Sequence, residues 1–338
     1  MTIEPIRDQL RRPIRDLRIS VTDRCNFRCI YCMPKEIFGD DYKFLPKNDQ
    51  LTVDEICTVA RIFASLGVKK IRITGGEPLL RRDLPEIVGR LSRLEGIEDV
   101  GLTTNGLLLK QYAQPLFDQG LRRLNISLDA LEPELFAYMN GRGIEPGIIL
   151  DNIIYAREVG FQVKVNMVVQ KGVNDREILP MAAYFKQLGI TLCFIEFMDV
   201  GNDNAWSIEQ VVTKQEIYDR LSAGDELEPL EPHYYGEVAQ RYRYKDGAAE
   251  IGFITSVSES FCSTCTRARL SSEGKFYTCL FASRGFDLRE LLRGGASEEE
   301  ILSAIRGVWE KREDRYSDER TQQRASQRTK INMSYIGG

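Results

Sequence analysis

Histidine is nearly absent from this sequence. His233 is the single histidine among 338 residues. Catalytic triads built on histidine, zinc sites of the His-Glu-x-x-His type and most histidine acid–base schemes therefore do not fit the chain. Any chemistry that it performs has to come from cysteine, a carboxylate, a cation or a bound cofactor.

Long apolar runs are absent too. No segment approaches the roughly 20 apolar residues that a membrane-spanning helix needs, and the first residues, MTIEPIRDQLRRPIRD, lack the apolar core of a signal peptide. The formal net charge is only −4, so no overall basic field indicates binding to nucleic acid or to an anionic membrane. These absences predict a cytoplasmic protein that binds neither.

Cysteine is present in a pattern. Six of the eight cysteines fall into two triplets, with spacings C-x3-C-x2-C and C-x2-C-x13-C. The triplets are Cys25, Cys29, Cys32 and Cys262, Cys265, Cys279. Because the cytoplasm is reducing, we expect these residues to bind metal or to carry redox chemistry rather than to form structural disulfides.

Strand-like and helix-like segments alternate through the first two thirds of the chain. The predicted strands are 17–22, 69–74, 99–104, 122–128, 162–169 and 191–198. The predicted helices are 53–67, 83–94, 108–120, 147–160, 175–189 and 213–224. Strands that alternate with helices pair in parallel through right-handed crossovers, so an α/β fold is expected.

Polar residues at alternate strand positions favour a barrel over an open sheet. Lys70, Arg72 and Thr74 share one face of their strand, because strand side chains alternate between faces. In an open sheet covered on both faces they would be buried against helices at a cost, whereas a barrel with a wide mouth can accommodate them. We therefore predict an incomplete (βα)6 barrel of the TIM type over residues 1–230.

The pattern changes after about residue 230. RYRYKDGAAEIGFITS and RARLSSEGKFYTCL predict short strands, the latter as a hairpin that turns at SEGK. Two helical stretches and a highly charged tail follow, and the chain ends in NMSYIGG. Residues 231–338 are therefore expected to form a C-terminal α+β region that carries the second triplet.

Each triplet leaves a metal site one ligand short. A structural zinc takes four ligands, and one histidine cannot complete two sites. A C-x2-C redox pair would leave Cys25 unexplained, although this pair and zinc stay open as alternatives. An iron–sulfur cluster held by three thiolates keeps one iron open for a substrate or cofactor. Two such clusters account for all six cysteines.

The segment CNFRCIYC, residues 25–32, follows the first predicted strand and resembles the signature of the radical S-adenosylmethionine superfamily. GGEP at 75–78 follows the second strand, where the superfamily places a glycine-rich turn, and glycine lets the backbone approach a ligand closely. CSTCTRARL with Cys279, the run EFMDVGN at 196–202 and the terminal Gly-Gly narrow the resemblance to the GTP 3′,8-cyclase family of molybdenum cofactor biosynthesis. The resemblance covers essentially the whole chain.

This resemblance implies two 4Fe-4S clusters and S-adenosylmethionine. In the superfamily, S-adenosylmethionine chelates the open iron of the first cluster. One electron from the cluster then cleaves S-adenosylmethionine to methionine and a 5′-deoxyadenosyl radical. The cyclases then remove hydrogen from ribose C3′ of GTP, and the carbon radical attacks guanine C8, while the second cluster holds the purine. The residues implied to contact S-adenosylmethionine are Tyr31, Gly76, Ser127 and Met198. On pattern alone, Ser127 and Met198 fit strand packing equally well.

The resemblance also implies a GTP site made of cations. Arginine suits bidentate phosphate contacts and stays charged when it loses water, although any one of these cations alone also fits a solvated strand edge. The residues implied to hold GTP are Arg18, Lys70, Arg72, Thr103, Lys164, Arg267 and Arg269. No Walker A sequence is present, so GTP is expected as a substrate and not as a hydrolysed switch nucleotide.

The end of the chain is implied to take part in catalysis. A charged tail ending in SYIGG would by itself fit disorder, but in the cyclase family the terminal Gly-Gly enters the active site. The resemblance therefore gives catalytic roles to Arg267, Arg269, Gly337 and Gly338. One departure is Cys193, where the family often has arginine, and its strand position beside apolar residues indicates packing.

The partners implied are GTP, a flavodoxin-like or ferredoxin-like electron donor, the downstream cyclic pyranopterin monophosphate synthase, and a second copy of the chain in a homodimer. Two other functions stay open on the sequence. A peptide-modifying radical enzyme could share both triplets, but TRARL and the terminal Gly-Gly disfavour it. A non-catalytic metal-binding or electron-transfer protein is disfavoured by GGEP and by the incomplete ligand sets.

Overall fold

All six strands predicted in the first two thirds of the chain form. The computed structural model describes residues 5–201, 206–321, 325 and 330–337. The strands are β1 (Asp16–Ser20), β2 (Lys70–Thr74), β3 (Asp99–Thr104), β4 (Arg123–Ser127), β5 (Gln162–Val169) and β6 (Thr191–Glu196). They lie side by side in chain order, and each neighbouring pair is parallel.

The strands that follow β6 in the chain extend this sheet at both edges. They are β7 (Leu227–Leu230), β8 (Gln240–Tyr244), β9 (Glu250–Ile254), β10 (Arg267–Leu270), β11 (Lys275–Tyr277) and β12 (Phe286–Asp287). β10 pairs in parallel with β1, and β9 pairs in parallel with β6, while the outer strands are antiparallel. The hairpin β10–β11 was predicted, but its pairing with β1 was not.

The helices cover one face of the sheet. Along the first two thirds they are α1 (Val53–Ser65), α2 (Leu84–Ser92), α3 (Leu109–Asp118), α4 (Pro133–Asn140), α5 (Pro146–Val159), α6 (Ile178–Gln187) and α7 (Lys214–Ser222). Ile71 and Ile73 of β2 are fully buried in one core with Phe63 of α1 and Leu91 of α2. The alternate residues of each strand therefore face the other way, toward the interior of an incomplete barrel, as predicted.

Short sequence signals set the helix ends. Thr52 accepts a hydrogen bond from the Glu55 amide, and the Glu55 carboxylate returns one to the Thr52 amide, which is the capping box that starts α1. Ser297 and Glu300 do the same for a later helix. The helices after the hairpin are α8 (Leu288–Arg293), α9 (Glu298–Glu310), α10 (Tyr316–Glu319) and a C-terminal helical turn, Met333–Ile336.

No helix in the described part of the chain has both the length and the apolar character needed to span a membrane.

Candidate active site

Both cysteine triplets open onto one cavity of about 270 Å³ on the inner face of the sheet. The first triplet lies in the loop that follows β1. In the second, Cys262 and Cys265 precede β10, and Cys279 follows β11. Because β10 pairs with β1, the two triplets reach the same cavity although they are far apart in the sequence.

The GGEP turn holds the loop of the first triplet. The Gly76 amide donates to the Thr22 carbonyl at 2.7 Å, and the Glu77 amide donates to the Arg24 carbonyl at 2.7 Å. A Cβ added to Gly76 would lie 2.3 Å from the Arg24 carbonyl oxygen, so a side chain cannot fit there. The glycine thus allows a close approach between two backbone segments of the protein, in addition to lining the cavity.

Glu77 is a functional candidate that sequence reasoning left without a role. Its buried carboxylate accepts hydrogen bonds from the Thr104 hydroxyl, the Asn105 amide and the Leu79 amide at 2.7–3.0 Å. Burial raises its pKa from 4.5 to about 7, against the effect of these hydrogen bonds. The Asn105 side chain in turn donates to Asn26, next to the first cysteine, at 2.7 Å. Glu77 therefore connects the end of β3 to the loop of the first triplet.

The four residues implied to contact S-adenosylmethionine, Tyr31, Gly76, Ser127 and Met198, all line the cavity. Tyr31 donates its hydroxyl hydrogen bond to Asp129 Oδ2 at 2.8 Å, and Asp129 Oδ1 accepts from the Val168 amide at 2.9 Å. Asp129 is 4% exposed. The sequence analysis did not predict a role for Asp129. The one feature of the sequence that points to Asp129 is its position two residues after Ser127.

Replacing Asp129 with asparagine is expected to remove a pH-dependent loss of stability. Burial raises the pKa of Asp129 from 3.8 to about 6, so the folded chain keeps this proton to a higher pH than the unfolded chain does. The free energy of unfolding should therefore fall by roughly 3 kcal/mol between about pH 4 and pH 6 because of this one group. Asparagine can accept from Val168 and donate to the Tyr31 oxygen, and it does not titrate.

Denaturant unfolding of the wild-type and Asp129→Asn apoproteins from about pH 4 to pH 7 measures this difference. The two stability curves should diverge as the pH rises, with the wild type losing more. Parallel curves across this window would contradict the assignment.

A row of arginines crosses the inner face of the sheet. In the strand register, Arg269 of β10 is paired with Arg18 of β1, and Arg18 is paired with Arg72 of β2. Paired residues of neighbouring strands point to the same face, and all three line the cavity. The next row along the strands holds Arg267, Asp16 and Lys70, so its charges alternate. The arginine row has no such acidic member.

The arginine row is electrostatically strained. Burial, with the nearby charges of Arg267 and Arg72, lowers the pKa of Arg18 to about 10. Burial and the neighbouring Arg18 also lower the pKa of Arg269 well below its usual range. Buried nitrogens of Arg72 and Arg267 have no hydrogen-bond partner among the described residues. Buried cations without partners are costly, so this wall is suited to a polyanion.

Two of the residues predicted to bind GTP, Lys70 and Lys164, are not among the residues that line the cavity. Lys70 Nζ lies 2.5 Å from the Tyr234 hydroxyl and 3.8 Å from Asp99 Oδ2, and burial lowers its pKa to about 8. Lys164 lies on β5, paired with Asn125 of β4. Asn125 does line the cavity, and so does Thr103, its partner on β3.

The two triplets have different electrostatic surroundings. In the first, burial raises the pKa of Cys25 and of Cys32 to about 12. In the second, burial opposes ionisation of Cys265, but Arg267 and Arg312 outweigh it and lower the pKa of this thiol to about 6. Arg267 Nη2 lies 3.4 Å from Cys265 Sγ. Burial and the nearby charge of Asp314 raise the pKa of Cys279 to about 11, so the lowered pKa in this triplet belongs to Cys265.

The donor sets fit clusters better than single ions. Within the described residues, no three histidine, cysteine or acidic side chains meet closely enough to hold one metal ion. In a four-iron cluster each thiolate binds a different iron, and all three cysteines of each triplet line the cavity. Cys57 in α1 and Cys193 in β6 are buried in packing positions, as predicted.

The chain end reaches the arginine row. The Arg269 guanidinium donates a hydrogen bond to the Gly337 carbonyl, and Gly337 has a positive φ of 75°. A Cβ added to Gly337 would lie 2.2 Å from Thr74 Cγ2, and Thr74 lines the cavity. Gly338, which the sequence also predicts to be functional, lies outside the described residues.

Two family models match consecutive parts of this chain. Residues 19–185 match the family model described as the Radical SAM superfamily, and residues 190–318 match the one described as Molybdenum Cofactor Synthesis C. A GTP 3′,8-cyclase of Staphylococcus aureus strain MRSA252 is 59% identical over 339 residues, which cover 99% of this chain and 100% of the relative. The chain belongs to the GTP 3′,8-cyclase family. The enzyme of the same name from strain JH9 matches with the same identity and coverage.

Membership of this family places the chain among radical enzymes that use S-adenosylmethionine and an iron–sulfur cluster. The fold agrees with a solved structure of SuiB from Streptococcus suis bound to S-adenosylmethionine. The TM-score is 0.59, at 16% identity over 87% of this chain and 68% of SuiB. At that identity the likeness concerns the fold alone, and it supports the predicted partial barrel.

Proposed function

We propose that this chain converts GTP to (8S)-3′,8-cyclo-7,8-dihydroguanosine 5′-triphosphate, the first step of molybdenum cofactor biosynthesis. The observation that carries the proposal is that an arginine row without a matching acidic row lies in the same cavity as two cysteine triplets. A polyanionic substrate balances the cations, and the triplets supply metal sites in the same cavity.

The first cluster and S-adenosylmethionine occupy the end of the cavity formed by the β1 loop and the GGEP turn. Cys25, Cys29 and Cys32 would hold the cluster, and the cluster would bind S-adenosylmethionine. When bound, this pair supplies the one-electron cleavage that generates a 5′-deoxyadenosyl radical. The residues that orient S-adenosylmethionine are Tyr31, Gly76, Ser127 and Met198. Asp129 keeps the Tyr31 ring in place through its hydrogen bond.

A second 4Fe-4S cluster is held by Cys262, Cys265 and Cys279. This cluster would bind the purine of GTP, and the cavity would hold ribose C3′ toward the S-adenosylmethionine site. Fixing this geometry is the main contribution of the protein, since correct positioning of reacting atoms can supply several orders of magnitude in rate. Thr103, which lines the cavity, is a further nucleotide contact.

The triphosphate lies along the arginines. Arg18, Arg72 and Arg269 form the row described above, and Arg267 lies between it and the second triplet. Lys70 and Lys164 belong to the outer end of this site, where Lys70 exchanges the Tyr234 hydroxyl for a phosphate oxygen. Neutralising these cations with phosphate removes their mutual repulsion.

The tail completes the catalytic group. Gly337 and Gly338 follow the helical turn Met333–Ile336, and the carbonyl of Gly337 accepts from Arg269. This contact links the position of the tail to the phosphate site. Arg267, Arg269, Gly337 and Gly338 are therefore proposed to act together in turnover.

The proposed division of the chain is a radical domain over residues 1–230 and a cluster-bearing region over residues 231–338. The expected partners are a flavodoxin-like or ferredoxin-like electron donor, cyclic pyranopterin monophosphate synthase as the consumer of the product, and a second copy of the chain. A reductant is required because one electron enters each cleavage of S-adenosylmethionine.

The deciding experiment is 5′-deoxyadenosine formation by the anaerobically reconstituted protein with reductant and S-adenosylmethionine. Samples with GTP, with ATP and without nucleotide are compared. A rise that depends on GTP supports the radical chemistry and the substrate together. Cleavage that does not depend on GTP would place the substrate elsewhere, and zinc in place of iron with no cleavage would overturn the proposal.

A further inference from the structure

Four residues form a charged bracket around the second triplet. They are Asp8 and Arg12, near the start of the chain, and Arg312 and Asp314, after α9. Both Asp8 and Arg12 are fully buried at their side chains, and Arg312 is 1% exposed. Asp8 Oδ2 accepts from Arg12 Nε at 2.6 Å and from Arg312 Nη1 at 3.1 Å, which joins the two arginines.

The bracket binds the backbone carbonyls of Cys262 and Cys265 and the side chain next to Cys279. Arg12 Nη1 donates to the carbonyl oxygens of Cys262 and Asp314, each at 2.8 Å. Arg312 Nη1 donates to the Cys265 carbonyl at 2.9 Å. The hydroxyl of Thr278, the residue before Cys279, donates to Asp314 Oδ2 at 2.6 Å. The segment that bears Cys262 and Cys265 and the segment that bears Cys279 are therefore tied to one set of side chains.

The two guanidinium groups also border the cavity. Arg12 and Arg312 both line it, and Arg12 Nη2 is buried without a hydrogen-bond partner among the described residues. Arg312 Nε likewise has no hydrogen bond there, and Asp314 Oδ2 lies 3.6 Å away. Asp314 is the bracket's more accessible carboxylate, at 32% exposure. Buried cations with spare donors beside a thiol triplet favour an anionic group in that place.

We infer that the bracket is an outer shell for the second cluster, in which Arg12, Arg312 and Asp314 hold the cysteine segments in position and the two arginines favour reduction of the cluster through their charge. This inference rests on the proposed second cluster and deepens it. Outer-shell partners commonly tune the potential and the affinity of a metal site, and hydrogen bonds and net charge around an iron–sulfur cluster set its reduction potential. These four residues are positioning residues, because they act through the cysteine segments.

The test uses the full chain with Cys25, Cys29 and Cys32 replaced by alanine, so that iron reports on the second triplet alone. After anaerobic reconstitution, iron and sulfide are counted and the reduction potential is measured by a titration followed by electron paramagnetic resonance. Arg312→Gln removes a positive charge and should shift the potential to more negative values and reduce iron occupancy. Arg312→Lys keeps the charge, so its reduction potential should lie close to that of the unsubstituted background.

A second variant reverses the sign. Asp314→Asn removes a negative charge at the more accessible position, keeps an acceptor for Thr278, and should shift the potential to less negative values. Arg241→Gln, which removes a buried arginine paired with Glu250 on β8 and β9, is the control and should leave the potential unchanged. A purely structural bracket would change iron occupancy without opposite shifts in potential.

The outcomes separate the two proposals. A potential that does not move in Arg312→Gln and Asp314→Asn would overturn the inference, whatever the iron occupancy. Absence of iron from the background that lacks the first triplet would overturn the proposed second cluster, and the inference with it. Opposite shifts in the two variants are the result we expect.

Discussion

Replacing Cys279 with serine is expected to lower the iron content of the reconstituted protein from about eight to about four atoms per chain. GTP-dependent formation of 5′-deoxyadenosine should fall by at least about a hundredfold, because a substrate misplaced by about 1 Å can cost that much in rate. Cys279 lines the cavity and lies just after β11 in the chain. The first cluster and its absorption spectrum should remain.

The matched control is Cys57→Ala. Cys57 is a buried residue of α1, outside both triplets and absent from the cavity wall. Its replacement should leave both the iron content and the dependence on GTP as in the wild type. Full iron content in Cys279→Ser would show that Cys279 is not a ligand, and equal losses in the two variants would indicate a general folding defect.

Gly337→Ala is expected to lower the yield of cyclised product by about a hundredfold. The new Cβ would lie 2.2 Å from Thr74 Cγ2, and the φ of 75° is unfavourable for alanine. Either effect displaces the Gly337 carbonyl that accepts from Arg269. Product and 5′-deoxyadenosine are quantified in the same anaerobic assay, which separates loss of cyclisation from loss of S-adenosylmethionine cleavage.

Two further variants separate collision from backbone strain. Thr74→Ser removes Cγ2, so the double variant with Gly337→Ala should recover part of the activity. Gly143→Ala has a similar positive φ of 67° with no atom within 4 Å of the added Cβ, and it should retain wild-type activity. Wild-type product yield from Gly337→Ala would contradict the proposed role of the tail.

Several parts of the candidate site could be recognised in the sequence, because their motifs are short and local. The C-x3-C-x2-C spacing, GGEP after the second strand and the CSTCTRARL run each occupy a few consecutive residues. Strand and helix periodicity likewise depends on near neighbours, which is why all six predicted strands form. α4 was not predicted, because its eight residues are too few to show a clear helical periodicity.

What the sequence determined by itself was the alternation of strands and helices, the spacing of the two cysteine triplets and the family. Tertiary structure decided which distant segments meet. The pairing of β10 with β1 brings Arg269 beside Arg18 and joins both triplets in one cavity. The bracket of Asp8, Arg12, Arg312 and Asp314 likewise joins the two ends of the chain. Such contacts depend on strand register and long-range packing, which no local pattern of residues encodes.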